Sequence, residues 1–401
     1  MKLALVADHA CQVRIPGAAV VAASSYLTDP AWRDAAGWSV INLCRSWAYQ
    51  RSGYYVSLLA EARGHRPLPR IDALHEIGSP SPSRVAVAAA QRCAGASRRQ
   101  NAGGLRLAIL RDPDSHCPAS NDAAILRFEQ AARALGLQTE RVSSGDIDRL
   151  AHCDGLFIRD NTFVRHHTFR FARRAAAQGM VVIDAPDSIL RCNNKVFLAE
   201  LLPRHGIPTP RTFIVHRANI EAVVPALGLP CVLKRPDSSL SLGVVKVDNV
   251  ADLRSTAMRM LAESELVVAQ EFSPTAFDWR IGILDGTPLF ACRYHMVPGH
   301  WQILRHVAGR HYDEGRTEAL PLADAPPAAV DLALRATRLI GGGFYGVDLK
   351  EVAPNDFRVI EVNDNPNVDA GNEDGVLQDA LYLQVMSVFA RRMSDRRRRR
   401  P

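Results

Sequence analysis

No apolar run in this 401-residue chain reaches the roughly 18–20 residues that a helical membrane span needs. The start, MKLALVADHACQVRIPG, is basic and then apolar, but its apolar stretch stops at Asp8, too short for a secretory core. These two absences make a cytoplasmic protein the expectation. Closely spaced cysteines are missing as well. Cys11, Cys44, Cys93, Cys117, Cys153, Cys192, Cys231 and Cys292 each lie at least 24 residues from the next, so no CxxC or metal-finger spacing occurs. Several fall in apolar stretches such as CVLK and FACRY, where a reduced cysteine is a small core hydrophobe. A GxxxxGK[ST] phosphate loop is absent, and with it a Walker-type site.

Excess charge is scarce too. Of the net +7, Arg396 to Arg400 supply five, leaving +2 for the rest of the chain. Such a run reads as a solvated, disordered tail over 393–401; a polybasic contact with an anionic partner is the alternative. Aromatics are not interleaved with these arginines, which disfavours nucleic acid as a partner. Apolar content of 47% and charged content of 23% are those of an ordinary globular protein, here long enough for two or three domains.

Three parts follow along the chain. Residues 1–95 contain VINLCRSWAYQRSGYYVSLLAEARGHRPLP, an apolar strand, a polar loop and a helix with Val56, Leu59 and Ala60 inward, closed by Gly64 and Pro67. The stretches GSPSPS (78–83) and CAGASRRQNAGG (93–104) are turn-rich, the second reading as a linker. Over 104–190, strands (LRLAIL, LQTERVS, DGLFIRD, MVVIDAP) alternate with helices, which predicts a small parallel α/β domain. Its first helix should bury Ile125, Phe128, Ala132 and Leu135, with Asn121 as cap and Gly136 as stop. From 191 to 392, antiparallel pairs mix with helices: CVLKRP with GVVKV, WRIGIL with TPLFACRYH across Asp285-Gly286, and GVDLKEV with FRVIEVN. These predict α+β subdomains.

Two motifs carry no chemistry on this reading. Gly341, Gly343 and Gly346 spell GxGxxG, but a helix precedes them and a strand follows, the reverse of a dinucleotide fold. His166 and His167 are adjacent, so a strand or helix sends them to different faces, and they read as structural.

The sequence GVDLKEVAPNDFRVIEVNDNPN is more telling. A hairpin centred between Pro354 and Asn355 places Asp348 opposite Glu361, with Asn363 two residues further on the same face. Opposed carboxylates destabilise a strand pair, and a bound cation removes that cost. Neutralising either acid is then expected to leave the metal-free fold intact or more stable. Asp, Glu and Asn oxygens suit a hard ion such as Mg2+, which keeps positions open for phosphate. In CVLKRPDSSLSLGVVKV, Lys234 ends an apolar strand before a Ser-rich loop whose small residues, Ser239 and Gly243 among them, admit phosphates. Lys195 opens a helix, and Gln270, Glu271 and Phe272 precede Asp278 and Arg280.

The order Lys195, Lys234, QEF at 270–272, Asp278, Arg280, Asp348, Glu361 and Asn363 resembles the ATP-grasp superfamily, nearest its RimK-like branch. The segment 40–70 resembles the extra N-terminal domain fused to some RimK-like enzymes. The resemblance implies an N-terminal α/β domain, a small Rossmann-like pre-ATP-grasp domain and an ATP-grasp fold of two α+β subdomains. It implies a ligase that joins a carboxylate to an amine through an acyl phosphate, using ATP and one or two Mg2+, with Mn2+ able to substitute. Lys195 and Lys234 would contact phosphates; Glu271, with the backbone at Gln270 and Phe272, would lie along adenine, and Asp278 near ribose. Asp348, Glu361 and Asn363 would hold metal, and Arg280, Arg293 or Arg305 would face the transferring phosphate or substrate carboxylate. The loop after Lys234 has Ser238, Ser239 and Ser241 where the family is richer in glycine, which implies a stiffer lid. Partners are then small-molecule or peptide carboxylates and amines, with a homo-oligomer left open. A phosphotransferase or a non-catalytic ATP-binding module stand as alternatives on the same fold.

Overall fold

The computed structural model describes residues 2–8, 15–77, 104–115, 118–307 and 312–399. The stretch 78–83 and nearly all of the expected linker lie outside them, as do Cys11, Cys93 and Cys117. The five remaining cysteines are buried, and none is in a disulfide among the described residues.

The first sheet comprises β1 (Lys2–Ala7), β2 (Ala18–Ala22), β3 (Trp38–Asn42) and β4 (Arg66–Leu68), in the order β2-β1-β3-β4 with every pair parallel. The helix Ser52–Ala62 connects β3 to β4 and is buried almost all round, Tyr54, Tyr55, Leu58 and Leu59 included. A helix without a polar face needs cover on both sides. It packs on β3 and β4 and on the helix Lys195–Arg204. Beside it, Arg63 is buried with its Nε 2.5 Å from Glu200 Oε1.

The second sheet, β5 (Arg106–Leu110), β6 (Gln138–Val142), β7 (Gly155–Ile158) and β8 (Val181–Ile183), is also parallel, in the order β6-β5-β7-β8. The helix Asp122–Ala134 begins as its sequence predicts, with Asn121 Oδ1 accepting from Ala124 N at 2.9 Å. Ile125, Phe128 and Ala132 are fully buried, but Leu135 is 38% exposed because it falls at the C-cap, past the inward face.

Two antiparallel sheets complete the chain. One is β9 (Thr212–Val215), β10 (Cys231–Lys234), β11 (Val244–Val247) and β12 (Val267–Glu271), ordered β11-β10-β12-β9. The other is β13 (Phe277–Leu284), β14 (Thr287–His295), β17 (Thr317–Leu320), β18 (Phe344–Ala353) and β19 (Asp356–Asp364), ordered β17-β14-β13-β18-β19. Between β14 and β17, β15 (Leu304–His306) pairs with β16 (Tyr312–Glu314). The Asp285-Gly286 turn has positive φ at both residues, 51° and 75°, as a two-residue hairpin of type I′ requires.

The compact units do not follow the linear division of the sequence. One is Met1–Ala89 with Asn194–Ser273, and the other is Ala90–Asn193 with Pro274–Pro401. In the first, the core under β9–β12 joins Val215, Leu233, Leu253, Met260 and Val267. In the second, one core runs from β5 and β7 through Phe128 to β14, β18 and the C-terminal helix Asp379–Arg398. Phe128 and Phe157 stand 5.0 Å apart there, with Tyr382 4.7 Å from Phe128 and Phe389 5.2 Å from Phe157.

That helix corrects the expected disordered tail. It continues to Arg398 because Tyr382, Val385, Met386, Phe389 and Met393 are buried along it, while Arg391 and Arg392 both reach Asp285. Among the described residues no helix is long and apolar enough to cross a membrane.

Candidate nucleotide and metal site

The hairpin β18–β19 carries the acids. Its register pairs Asp348 with Glu361 and Gly346 with Asn363, as a turn centred between Pro354 and Asn355 predicts. Two irregularities occur, at Glu351/Ala353 and at Asp348/Leu349, and they shift the register in opposite senses, so the pairing at the acids is restored. The neighbouring strand β13 sets Arg280 opposite Asp348. Arg280 grips that carboxylate with two donors, Nε to Oδ1 and Nη2 to Oδ2, the latter at 2.8 Å. Asn363 Nδ2 donates to Asp348 Oδ2 at 3.0 Å. The repulsion expected between opposed carboxylates is therefore compensated by a guanidinium. Burial still holds the Asp348 carboxyl above its ordinary range, with Arg280 opposing and Glu361 adding to the rise. A Cβ on Gly346 would come 2.9 Å from Arg280 Cδ and from Pro366 Cβ; only glycine admits that approach.

Asp278 is tied to Lys350, whose Nζ lies 2.6 Å from its Oδ1. Arg293 lies over Trp279, 4.8 Å from the ring, and 3.9 Å from Glu318. Arg305 pairs with Asp313 on the exposed β15–β16 ribbon. Of the three arginines singled out in the sequence, the fold brings only Arg280 to Asp348.

The lysines belong to the other compact unit. Lys234 Nζ donates to Gln270 Oε1 at 2.7 Å, across the β10–β12 pair. Lys195 opens its helix behind Asn194, whose Oδ1 accepts from Val196 N and Phe197 N at 3.1 Å. Its N donates to Pro236 O at 2.7 Å and its Nζ to Ser238 O, so the loop after Lys234 is fastened to Lys195 at two points. That loop puts Leu240 and Ser241 in the left-handed region, with φ of 53° and 59°, a costly conformation for residues with a Cβ. Ser239 Oγ is buried and has no partner among the described residues. Gly243, at φ 68°, packs on the Arg235 side chain. Glu271 pairs with Arg211, whose Nε lies 2.6 Å from its Oε2, and Phe272 lies beneath Lys246, 5.1 Å from Nζ to ring centre.

Sequence reasoning missed the groups that hold the NDNPN loop. Asp184, the residue after β8, accepts from Phe344 N at 2.6 Å and Asn365 N at 2.7 Å; burial pushes its carboxyl up to about 6. Asp364 is driven up to about 8 by burial, and its Oδ1 accepts from Asn193 Nδ2 at 2.9 Å. Arg159 is fully buried, and burial pulls its guanidinium down to about 10. It donates to Ser120 Oγ at 3.0 Å, Asn365 Oδ1 at 2.8 Å and Pro366 O at 2.9 Å. One signal existed: a charged residue directly after an apolar strand, as in FIRD and VVID, stands at the carboxyl edge of a parallel sheet, where open α/β sheets bind ligands.

Known proteins match both parts of the chain. Residues 23–109 match the RimK-like ATPgrasp N-terminal domain, and residues 192–377 the RimK-like ATP-grasp domain. Alpha-aminoadipate–LysW ligase LysX of Saccharolobus solfataricus is 31% identical over 219 residues, 53% of this chain and 75% of that protein. A probable alpha-L-glutamate ligase of Parasynechococcus marenigrum is 23% identical over 352 residues, 84% of this chain and 72% of that one. The fold is shared with D-cycloserine synthetase DcsG, at a TM-score of 0.55 and 17% identity over 72% of this chain and 99% of that one. D-alanine–D-alanine ligase from Bacillus anthracis in complex with ATP gives a TM-score of 0.55 and 16% identity over 74% of this chain and 100% of that one. The protein belongs to the RimK-like ATP-grasp family and is a carboxylate–amine ligase.

Proposed function

We propose that the protein activates a carboxylate with ATP as an acyl phosphate and passes the acyl group to an amine, one of the two substrates being an amino acid. The observation that carries this reading is the Arg280–Asp348–Asn363 cluster with Glu361 opposite Asp348. A guanidinium and hard oxygen donors on one strand trio suit phosphoryl transfer, which asks for charge compensation and alignment rather than a protein nucleophile.

The donor set fits Mg2+: Asp348, Glu361 and Asn363 offer only oxygen ligands to it. They would hold one or two ions, which neutralise charge on the triphosphate. Lys195 and Lys234 bind phosphate oxygens, with Ser239 and the backbone near Gly243 beside them. Gln270, Glu271 and Phe272 line the base, and Asp278, kept in place by Lys350, serves the ribose. Arg280 steadies the transferred phosphoryl group. In the first step a carboxylate oxygen bonds to the γ-phosphorus as the bond to ADP breaks. In the second, the amine nitrogen bonds to the acyl carbon, phosphate leaves, and the nitrogen gives up a proton.

The names of the relatives suggest substrates: alpha-aminoadipate with LysW, and glutamate. An acidic amino acid joined to a peptide, protein or small-molecule carboxylate is the class we infer. The test is product analysis with pooled amino acids and peptides. ADP, phosphate and amide should form in equal amounts, and hydroxylamine should trap a hydroxamate. AMP with pyrophosphate would mean an acyl adenylate and overturn the mechanism; ADP with a stable phosphorylated acceptor would make the protein a phosphotransferase.

A further inference from the structure

The carboxyl edge of β7 holds a group that none of these steps uses. Asp160 follows β7 by two residues and is fully buried. Its Oδ1 accepts from Ser115 Oγ at 2.5 Å and from Asn161 N at 2.9 Å. Its Oδ2 stands 3.0 Å from His167 Nε2, an ion pair when the imidazole is protonated. Both atoms are buried, and beyond this contact neither has a hydrogen-bond partner among the described residues. A buried carboxylate and imidazole that face only each other are two donors an ion can join.

A third donor stands beside them. One ligand atom from each of Asp160, His166 and His167 lies within 4.8 Å of the others. Adjacent residues in a regular element would diverge, as the sequence suggested, but here the backbone changes type between them. His166 is the N-cap of the helix His167–Ala177, extended at φ −99° and ψ 163°, and His167 is its first residue. The change brings the two rings to 3.9 Å between centres. The supports are in place as well. Ser115 holds the carboxylate, and Thr168 Oγ1 lies 3.1 Å from His166 Nδ1.

We propose that Asp160, His166 and His167 form a binding site for a divalent transition-metal ion of the zinc class, separate from the acids of the β18–β19 hairpin. Two imidazoles and one carboxylate are the donor set of zinc, cobalt and nickel rather than magnesium, which takes oxygen. Outer hydroxyls that orient ligands are what such sites have. The setting is the edge where parallel sheets bind ligands. The Asp160 carbonyl accepts from Asn365 Nδ2 at 2.6 Å, so an ion there would stiffen the segment on which the NDNPN loop rests.

The test uses the full chain without an affinity tag, stripped by chelator and titrated with Zn2+ by calorimetry and with Co2+ by visible absorption. One equivalent should bind, with the visible bands of nitrogen-ligated cobalt. His167→Ala should weaken binding by about tenfold or more, and Ser115→Ala by about tenfold. Glu361→Gln should leave Zn2+ binding unaltered. His166→Gln is the second ligand variant, and Mg·ATP-induced stabilisation reports whether each histidine variant is folded. Binding lost in folded His166→Gln or His167→Ala supports the site. Zn2+ binding that is absent in the wild type, or unchanged in both ligand variants, leaves Asp160–His167 as an ion pair only and overturns the proposal.

Discussion

The strand pair bearing Lys234 and the hairpin bearing Asp348 hold their charges in different ways. Lys234 Nζ rests on the Gln270 amide oxygen, and Lys195 Nζ on the Ser238 carbonyl. Asp348 is instead embraced by a guanidinium, in a pair whose side chains are only 9% and 13% exposed. Asp348 is thus already compensated and depends on Arg280 for its stability. Removing an acid is therefore not one experiment but two.

The largest effects should come from the acids. Asp348→Asn and Glu361→Gln should each lower turnover by about 100-fold or more, the scale of losing a principal charge stabiliser. Both should also abolish the rise in melting temperature given by Mg·ATP. They should part in the metal-free protein. Asp348→Asn leaves Arg280 buried without its counter-charge, a cost on the order of 3 kcal/mol, whereas Glu361→Gln takes a like charge away from Asp348 and should cost less. This splits the symmetric expectation that the hairpin register alone supports. Equal stabilisation in both variants would break the comparison.

Next come the lysines. Lys234→Ala should weaken Mg·ATP binding about tenfold, or ~1.4 kcal/mol, as loss of one charged contact to phosphate does. Lys195→Ala should do so less. Neither should move the melting temperature of the nucleotide-free chain by more than a degree or two, because each lysine sits at an element end and is not in the core. Calorimetric titration that found unchanged affinity in Lys234→Ala would remove this strand pair from the nucleotide site.

The same contrast explains what could be read from the sequence. The Asp348–Glu361 pairing was legible because a hairpin is symmetric about its turn, and the two register shifts happen to cancel. Asn121 and the Asp285-Gly286 turn were legible because caps and tight turns are local chemistry. Arg280 as the partner of Asp348 was not, since β13 and β18 lie far apart in sequence and pair only in the sheet. Asp184 and Arg159 hold the NDNPN loop from a different domain-forming segment, and nothing local marks them beyond their place after apolar strands. The small residues of the Ser-rich loop were legible, but the left-handed backbone at Leu240 and Ser241 was not. The closeness of the two histidine rings was not legible for a related reason: His166 is a helix cap, and face rules hold only inside an element.

A smaller effect should come from the N-terminal segment, whose part in this chemistry the sequence does not reveal. Tyr49 OH donates to Asp237 Oδ2 at 2.7 Å, and Gln50 Nε2 to the other oxygen. Asp237 sits between Pro236 and Ser238, the two residues fastened to Lys195. Tyr49→Phe should cost about 1 kcal/mol of stability and raise KM for ATP severalfold while kcat is kept. Asp237→Asn, which also disturbs the Gln50 contact, should do at least as much, and the double variant should be less than additive, because the Tyr49–Asp237 contact is shared. An additive double variant would show that Tyr49 and Asp237 act apart.

The smallest effect should follow removal of residues 394–401. Met393 is the last deeply buried residue of the C-terminal helix, and Arg391 and Arg392, which meet Asp285, precede the cut. What is lost is the final turn and its arginines, of which Arg396 lies against Gly179. Exposed turns of this kind contribute little to stability, so the melting temperature should fall by no more than a few degrees. Turnover on a small carboxylate and amine should be unaltered. Cutting instead after Ala390 would remove Met393 and both contacts to Asp285, and a much larger fall should follow. Turnover on an acidic protein or peptide acceptor is the sharper reading. A loss confined to that acceptor, and reproduced in the intact chain by raising the salt, would mean that the arginines attract the partner through screened charge. Equal turnover on both kinds of acceptor would leave the last turn a solvated helix end, with the chemistry resting on the lysine and acid sides alone.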